Sequence, residues 1–307
     1  MNAFFTALAF KATLWALILG VASMLVPSVL PRWRRGLALA GIWGLWLLPF
    51  MPAVPMNGGQ HGMSLPMATV SWPWMTWAWA LGAFIGGLRL LREALQLIRC
   101  TRKAHKGCVE GVEVHFSAEV AGPCMTGWLR PRVFLPEEAS QWSATALQAA
   151  LRHELQHVRQ HDGLHRLAAA VLRALFWWNP AVHALCSIYE NESEVCCDLE
   201  AAEGVMTRRE YGHLLLAHAC GHHTMALAPL FALRSSLQRR IERLITVRRE
   251  AAGVRMARWM MVAGLLMLSG WAMASIRLSP DASPPGATME PSEAMLRLQA
   301  NPFPLEP

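Results

Sequence analysis

The sequence predicts an α-helical membrane protein with four transmembrane helices and an inserted, mostly helical α+β domain. Three observations carry that class. Of 307 residues, 54% are hydrophobic and only 16% charged, with 14 tryptophans, a balance that leans from globular toward membrane composition. Four apolar runs are flanked by basic residues. Between the third and the fourth lies a stretch of roughly 150 residues, ordinary domain size.

The net charge of +7 gathers beside the apolar runs instead of forming one stripe with interleaved aromatics. That pattern fits a lipid bilayer with anionic headgroups, and no direct nucleic acid binding is expected. All seven cysteines lie between Cys100 and Cys220. An odd number makes a poor disulfide framework, so this middle region reads as reduced and cytoplasmic.

The first run, Ala12 to Leu30, is uncharged and about long enough for a hydrocarbon core near 30 Å thick. Positive charges follow it, which argues for an anchor and against a cleaved signal peptide. The second and third runs, about 36–52 and 72–91, complete a membrane region over 1–98. A fourth span is expected at 254–277, with tryptophans at its ends. Arg32, Arg34 and Arg35 follow the first span, whereas the segment Met51 to Ser71 has no Lys or Arg. Six basic residues from Arg89 to Lys106 and four from Arg248 to Arg258 then hold both ends of the 99–253 domain to the cytoplasmic face. Both termini are therefore expected outside a bacterial cytoplasmic (inner) membrane. The tail, 278–307, is rich in Pro, Ser and acidic residues and reads as disordered.

Within the domain, "GVEVHFS" and "RPRVFLP" read as short strands bounded by turn residues. The strand Val133 to Leu135 is a place where a peptide could add as a further strand. Helices dominate after it. "LAAAVLRALFWW" is only about 12 residues before Pro180, too short for a span, and reads as a buried or membrane-grazing helix.

Ser143 is a plausible N-cap, and Leu147, Leu151, Leu155 and Val158 recur at helical spacing, so His153 to His161 should lie on one helix. His153 and His157, at i and i+4, place two imidazoles on one face about 6 Å apart, within reach of one tetrahedral zinc. Glu154 is turned by about 100° from His153, where its carboxylate flanks the ion and can take a proton from water. This is the H-E-x-x-H arrangement of zinc peptidases. His161 lies about 12 Å along the axis from His153, too far to share the ion, and the metzincin position holds Gly163.

The third ligand must come from elsewhere. In "YENESEVCCDLEAA", Glu190, Glu194 and Asp198 fall four apart on a second helix. A gluzincin-type site takes a glutamate from a following helix, with an acidic residue four later bonding a ligand histidine from behind. Glu194 and Asp198 fit, while Glu190 and Glu192 compete by spacing. Cys196 and Cys197 point about 100° apart and read as small core residues. Tyr211, His213 and His218 are unranked candidates for an oxyanion partner.

Together, "GWLRPRVFLP", "HELQHVRQHD", "FWWNPAVHAL" and "ESEVCCD" resemble the BlaR/MecR type of membrane metallopeptidase, the antirepressor family of β-lactam resistance. The resemblance covers nearly the whole chain. It implies a gluzincin-like zinc peptidase domain with His153, His157 and Glu194 as Zn2+ ligands, Glu154 as general base and Asp198 behind a ligand. It also implies three spans before the domain and one after, self-cleavage, and loss of a winged-helix repressor of the BlaI/MecI type. Members that sense β-lactams carry a large penicillin-binding domain after the last span, where this sequence has only the short tail. Direct acylation by antibiotic is therefore not expected, and a separate extracytoplasmic sensor is an expected partner. "SSLQRRIERLITVRRE" reads as an amphipathic basic helix leading into the last span, and no scissile bond is assigned to it. The alternatives are a quality-control peptidase of the HtpX or CAAX-processing sort and a signalling scaffold with a structural zinc. Glu154 argues against the scaffold, since a closed structural site has no use for a base beside the ion.

Overall fold

Helix α1 (Asn2–Leu25) stops where Pro27 makes helical geometry costly for the residue before it. The computed structural model describes residues 2–27, 30–50, 73–221, 227–246 and 264. After α1 come α2 (Pro31–Leu47), a 3-10 turn (Leu48–Phe50) and α3 (Pro73–Arg102). Leu8–Leu25 is, among the described residues, the one helical segment long and apolar enough to cross a membrane. The expected second and third spans fall on α2 and α3, and the fourth, with the tail, lies outside the described residues.

Four strands follow: β1 (His105–Val109), β2 (Val112–Ser117), β3 (Cys124–Thr126) and β4 (Arg132–Pro136). They form one sheet in the order β1-β2-β4-β3, with β2 and β4 parallel and the outer pairs antiparallel. Glu110 and Gly111 both take positive φ, as the tight β1-β2 hairpin requires. The expected strands are β2 and β4; β1 and β3 are additional. Because β4 is paired on both sides, Val133 to Leu135 has no free edge for a peptide, which corrects that expectation.

Helix α4 (Ala144–Arg159) lays Leu151, flanked by Leu147, Leu155 and Val158, on Val114, Val133 and Leu135 of the sheet. Ser143 caps it as expected, its hydroxyl accepting from the Ala146 amide at 3.2 Å. The helix ends sooner than expected. His161 takes φ 54°, a left-handed conformation that breaks the ladder and starts α5 (Asp162–Leu175) in a new direction.

The remaining helices are α6 (Pro180–Ala202), α7 (Arg208–Gly221) and α8 (Leu227–Thr246). Asn179 and Pro180 open α6: the Asn179 carboxamide oxygen accepts from the Ala181 and Val182 amides, and its nitrogen donates to the Thr13 hydroxyl of α1 at 2.9 Å. Its lower half shares a core with α1, α2 and α5, in which Trp15, Leu19, Ile42, Leu172, Leu185 and Tyr189 are buried together. Two of the helices expected in the membrane, α1 and α2, thus pack directly on the helix that carries the acidic cluster, while α3 packs on α5.

Candidate metal centre

On α4, one turn of helix brings His153 and His157 to the same face, with their Nε2 atoms 3.2 Å apart. Two nitrogens at zinc-ligand distance from a tetrahedral ion lie about 3.3 Å from each other, so the spacing fits one ion held between them. Glu194, from the middle of α6, completes the triangle: Oε2 is 3.6 Å from His153 Nε2, and Oε1 is 3.6 Å from His157 Nε2. These three groups could hold a metal ion, and two imidazoles with a carboxylate are a donor set suited to zinc.

The competing glutamates are engaged elsewhere. Glu190 takes a two-pronged contact from Arg173, at 2.6 and 2.9 Å. Glu192 is buried between Arg34, at 3.1 Å, and Arg243, at 2.6 Å. Burial works against ionisation of Glu194, yet His153, Arg240 and Arg166 together hold its carboxyl well below the ordinary range.

Behind each histidine stands a fully buried aspartate. His153 Nδ1 is 3.1 Å from Asp198 Oδ1, the position expected for Asp198. Arg240 of α8 grips the same carboxylate with two nitrogens, at 2.7 and 2.6 Å. His157 Nδ1 is 2.6 Å from Asp162 Oδ2. Asp162 also accepts from the hydroxyls of Tyr189, at 2.6 Å, and Ser193, and from Arg35 of α2 at 2.8 Å. Burial would raise the Asp162 carboxyl, but hydrogen bonds from His157, Ser193 and Tyr189 and the charge of Arg35 hold it below the usual range. Burial would likewise lower the His153 imidazole, but Asp198 and Glu194 outweigh it and push it up to about 10. Protons and cations therefore compete for this face.

Glu154 is buried beside the two histidines, and burial, opposed by both imidazoles, raises its carboxyl above the ordinary value. A raised carboxyl is the direction that suits a proton acceptor working near neutral pH.

The oxyanion candidates fare differently. The Tyr211 hydroxyl donates to Asp198 at 3.0 Å and sits 3.2 Å from His153 Nδ1, behind the imidazole and away from Nε2, so it is placed to orient and not to meet a substrate. His213 is exposed on α7, and the side chain of His218 lies outside the described residues. Asp162, Arg35, Arg166 and Arg240 are the site residues that spacing did not reveal. Asp162 carried one usable signal, an Asp-Gly pair closing the histidine helix.

Cys197 Sγ lies 3.4 Å from His157 Nδ1, so His157, Asp162 and Cys197 form a second group close enough to hold an ion. Burial, then Asp162 and Glu194, push this thiol far up. Cys196 is buried too, as a core residue.

The sequence profile of the family described as BlaR1 peptidase M56 matches residues 67–244, more than half of the chain, and the chain belongs to that family. The Regulatory protein BlaR1 of Bacillus licheniformis is 28% identical over 131 residues, 42% of this chain and 22% of that protein. The Methicillin resistance mecR1 proteins of Staphylococcus aureus and Staphylococcus epidermidis are 24% identical over 130 residues, 41% of this chain and 22% of theirs. The match thus spans about a fifth of the length of these curated relatives.

Proposed function

We propose that the chain is a membrane zinc metalloendopeptidase of a signal-transduction system, hydrolysing peptide bonds in itself or in a cytoplasmic winged-helix repressor of the BlaI/MecI type. The observation that carries this reading is the triangle of His153 Nε2, His157 Nε2 and the Glu194 carboxylate, with Glu154 buried at its side. Family membership and the printed names of the relatives support the regulatory setting.

His153, His157 and Glu194 are the residues that hold Zn2+ in this reading. The ion supplies Lewis acidity, polarising the scissile carbonyl and making water a better acid. Glu154 accepts the proton from the attacking water and returns it to the departing amine nitrogen. Asp162 and Asp198 keep His157 and His153 in the tautomer whose Nε2 lone pair faces the site. Of the two outer strands, β1 and β3, β3 is the one packed beside α4, and its edge is the place for a substrate strand. In the membrane arrangement proposed here α1 is the first span, α2 and α3 follow, and the domain from β1 to α8 lies on the cytoplasmic side. A separate extracytoplasmic sensor provides the signal.

The test uses purified protein in detergent with a winged-helix repressor added, wild type beside Glu154→Ala. Wild type is expected to cut itself or the repressor, and the variant to keep its zinc while losing the cutting by about 100-fold or more. Cleavage undiminished in Glu154→Ala would remove the proposed base, and zinc without cleavage in wild type would favour a scaffold.

A further inference from the structure

The two histidines share a support plan that draws on two helices distant in sequence, α2 and α8. Asp162, behind His157, is held by Arg35, which belongs to α2, the helix next after the apolar α1. Asp198, behind His153, is held by Arg240, which belongs to α8 at the other end of the described domain. Both aspartates are fully buried, so neither has water to replace a missing partner. Arg35 and Arg240 themselves sit mostly buried, 17% and 21% exposed.

We infer that Arg35 and Arg240 are positioning residues of the metal centre, through which α2 and α8 set the orientation of His157 and His153. The inference rests on the reading of His153, His157 and Glu194 as metal ligands. Arg35 acts at one remove: it fixes a carboxylate, and the carboxylate fixes an imidazole. Arg240 does the same through Asp198 and also lies 3.3 Å from Glu194 Oε2, so it steadies a second ligand directly. A movement of α2 or α8 relative to α6 then has a direct route to one ligand.

Charge alone predicts the opposite behaviour. A guanidinium near a cation site repels the cation, and more strongly where water is excluded. Removing it should tighten metal binding if charge were its whole effect. If it positions a ligand, removing it should loosen binding, so the sign of the change separates the two.

The fold also supplies matched controls. Arg34, next to Arg35 on α2, and Arg243, three residues after Arg240 on α8, both close on Glu192, away from the histidines. Each is 16% exposed, so losing either breaks a buried ion pair on the same helix, at a carboxylate other than Asp162, Asp198 or Glu194.

The experiment measures zinc affinity of the full chain in detergent by chelator competition, together with the visible absorption spectrum of the Co2+-loaded protein. Wild type is compared with Arg35→Gln, Arg240→Gln, Arg34→Gln and Arg243→Gln. Zinc is expected to bind about tenfold or more weakly in the first two, with a changed cobalt spectrum, and within about twofold of wild type in the controls. Arg35→Lys and Arg240→Lys keep the charge without the planar fork and should fall between. If a glutamine variant fails to fold, its lysine counterpart decides: an altered cobalt spectrum supports the inference, and an unchanged one overturns it. Unchanged or tighter zinc in Arg35→Gln and Arg240→Gln, or an equal loss in all four glutamine variants, would overturn it as well. A wild type that binds no zinc would bring down the ligand reading, and this inference with it, and is plainly different from a wild type that binds while the variants match it.

Discussion

His157 Nδ1 and Asp162 Oδ2 meet at 2.6 Å across the turn that separates α4 from α5. The left-handed His161 makes this contact, because a straight continuation of α4 would carry Asp162 away along the axis. Asp162 is held below its unfolded value of about 3.9, so its ionised form stabilises the fold above that pH, and the contribution is lost as pH falls toward the depressed folded value. In chelated protein, the melting temperature should drop more steeply between about pH 6 and about pH 3 in wild type than in Asp162→Asn. Equal slopes would show that Asp162 is not an acid-labile support.

Among Glu190, Glu192 and Glu194 of α6, Glu194 is the one that faces both Nε2 atoms. Glu194→Ala should lose zinc on dialysis, whereas Glu190→Ala, whose partner is Arg173, should retain about one ion per chain. Zinc content by atomic absorption decides this, and full retention in Glu194→Ala would move the third ligand elsewhere.

Asn179 serves two helices at once, capping α6 and bonding Thr13 of α1. Asn179→Ala should cost about 2 kcal/mol, the upper range for a lost N-cap, because the Thr13 bond goes with it. Thermal unfolding in detergent measures it. A change near zero would mean that the α1-α6 junction rests on packing alone.

Gly163 opens α5 against the turn after β3. A Cβ there would lie 2.4 Å from the Gly127 carbonyl oxygen, a backbone atom that cannot swing aside. Gly163→Ala should therefore destabilise by about 1–3 kcal/mol and push the β3 edge from the histidine helix. Wild-type melting would show that the approach is looser than described.

Much of this was legible because the key helices obey local rules. Ser143 capped α4 as its residue type demands, and i, i+4 spacing alone put His153 and His157 on one face. Glu194 and Asp198 followed from spacing and chemistry, although Glu190 and Glu192 could be set aside only once Arg173, Arg34 and Arg243 were seen on them. Asp162 is hidden in sequence because the periodic pattern runs past Arg159, where α4 ends, to His161. Arg35 and Arg240 were illegible for a different reason: they lie more than a hundred residues from Asp162 and more than forty from Asp198 respectively, and no local period links such partners. In sequence the arginines of α2 show only a charge bias toward the cytoplasmic face, yet Arg32, Arg34 and Arg35 all end on carboxylates of the domain.

The proposed function places zinc on His153, His157 and Glu194, and not on the neighbouring group of His157, Asp162 and Cys197. Zinc-edge X-ray absorption of the purified, zinc-loaded chain addresses it most directly. About one zinc per chain is expected, surrounded only by nitrogen and oxygen at about 2.0–2.2 Å, with imidazole scattering. A sulfur scatterer at about 2.3 Å would place the ion on Cys197 and overturn the assignment of Glu194.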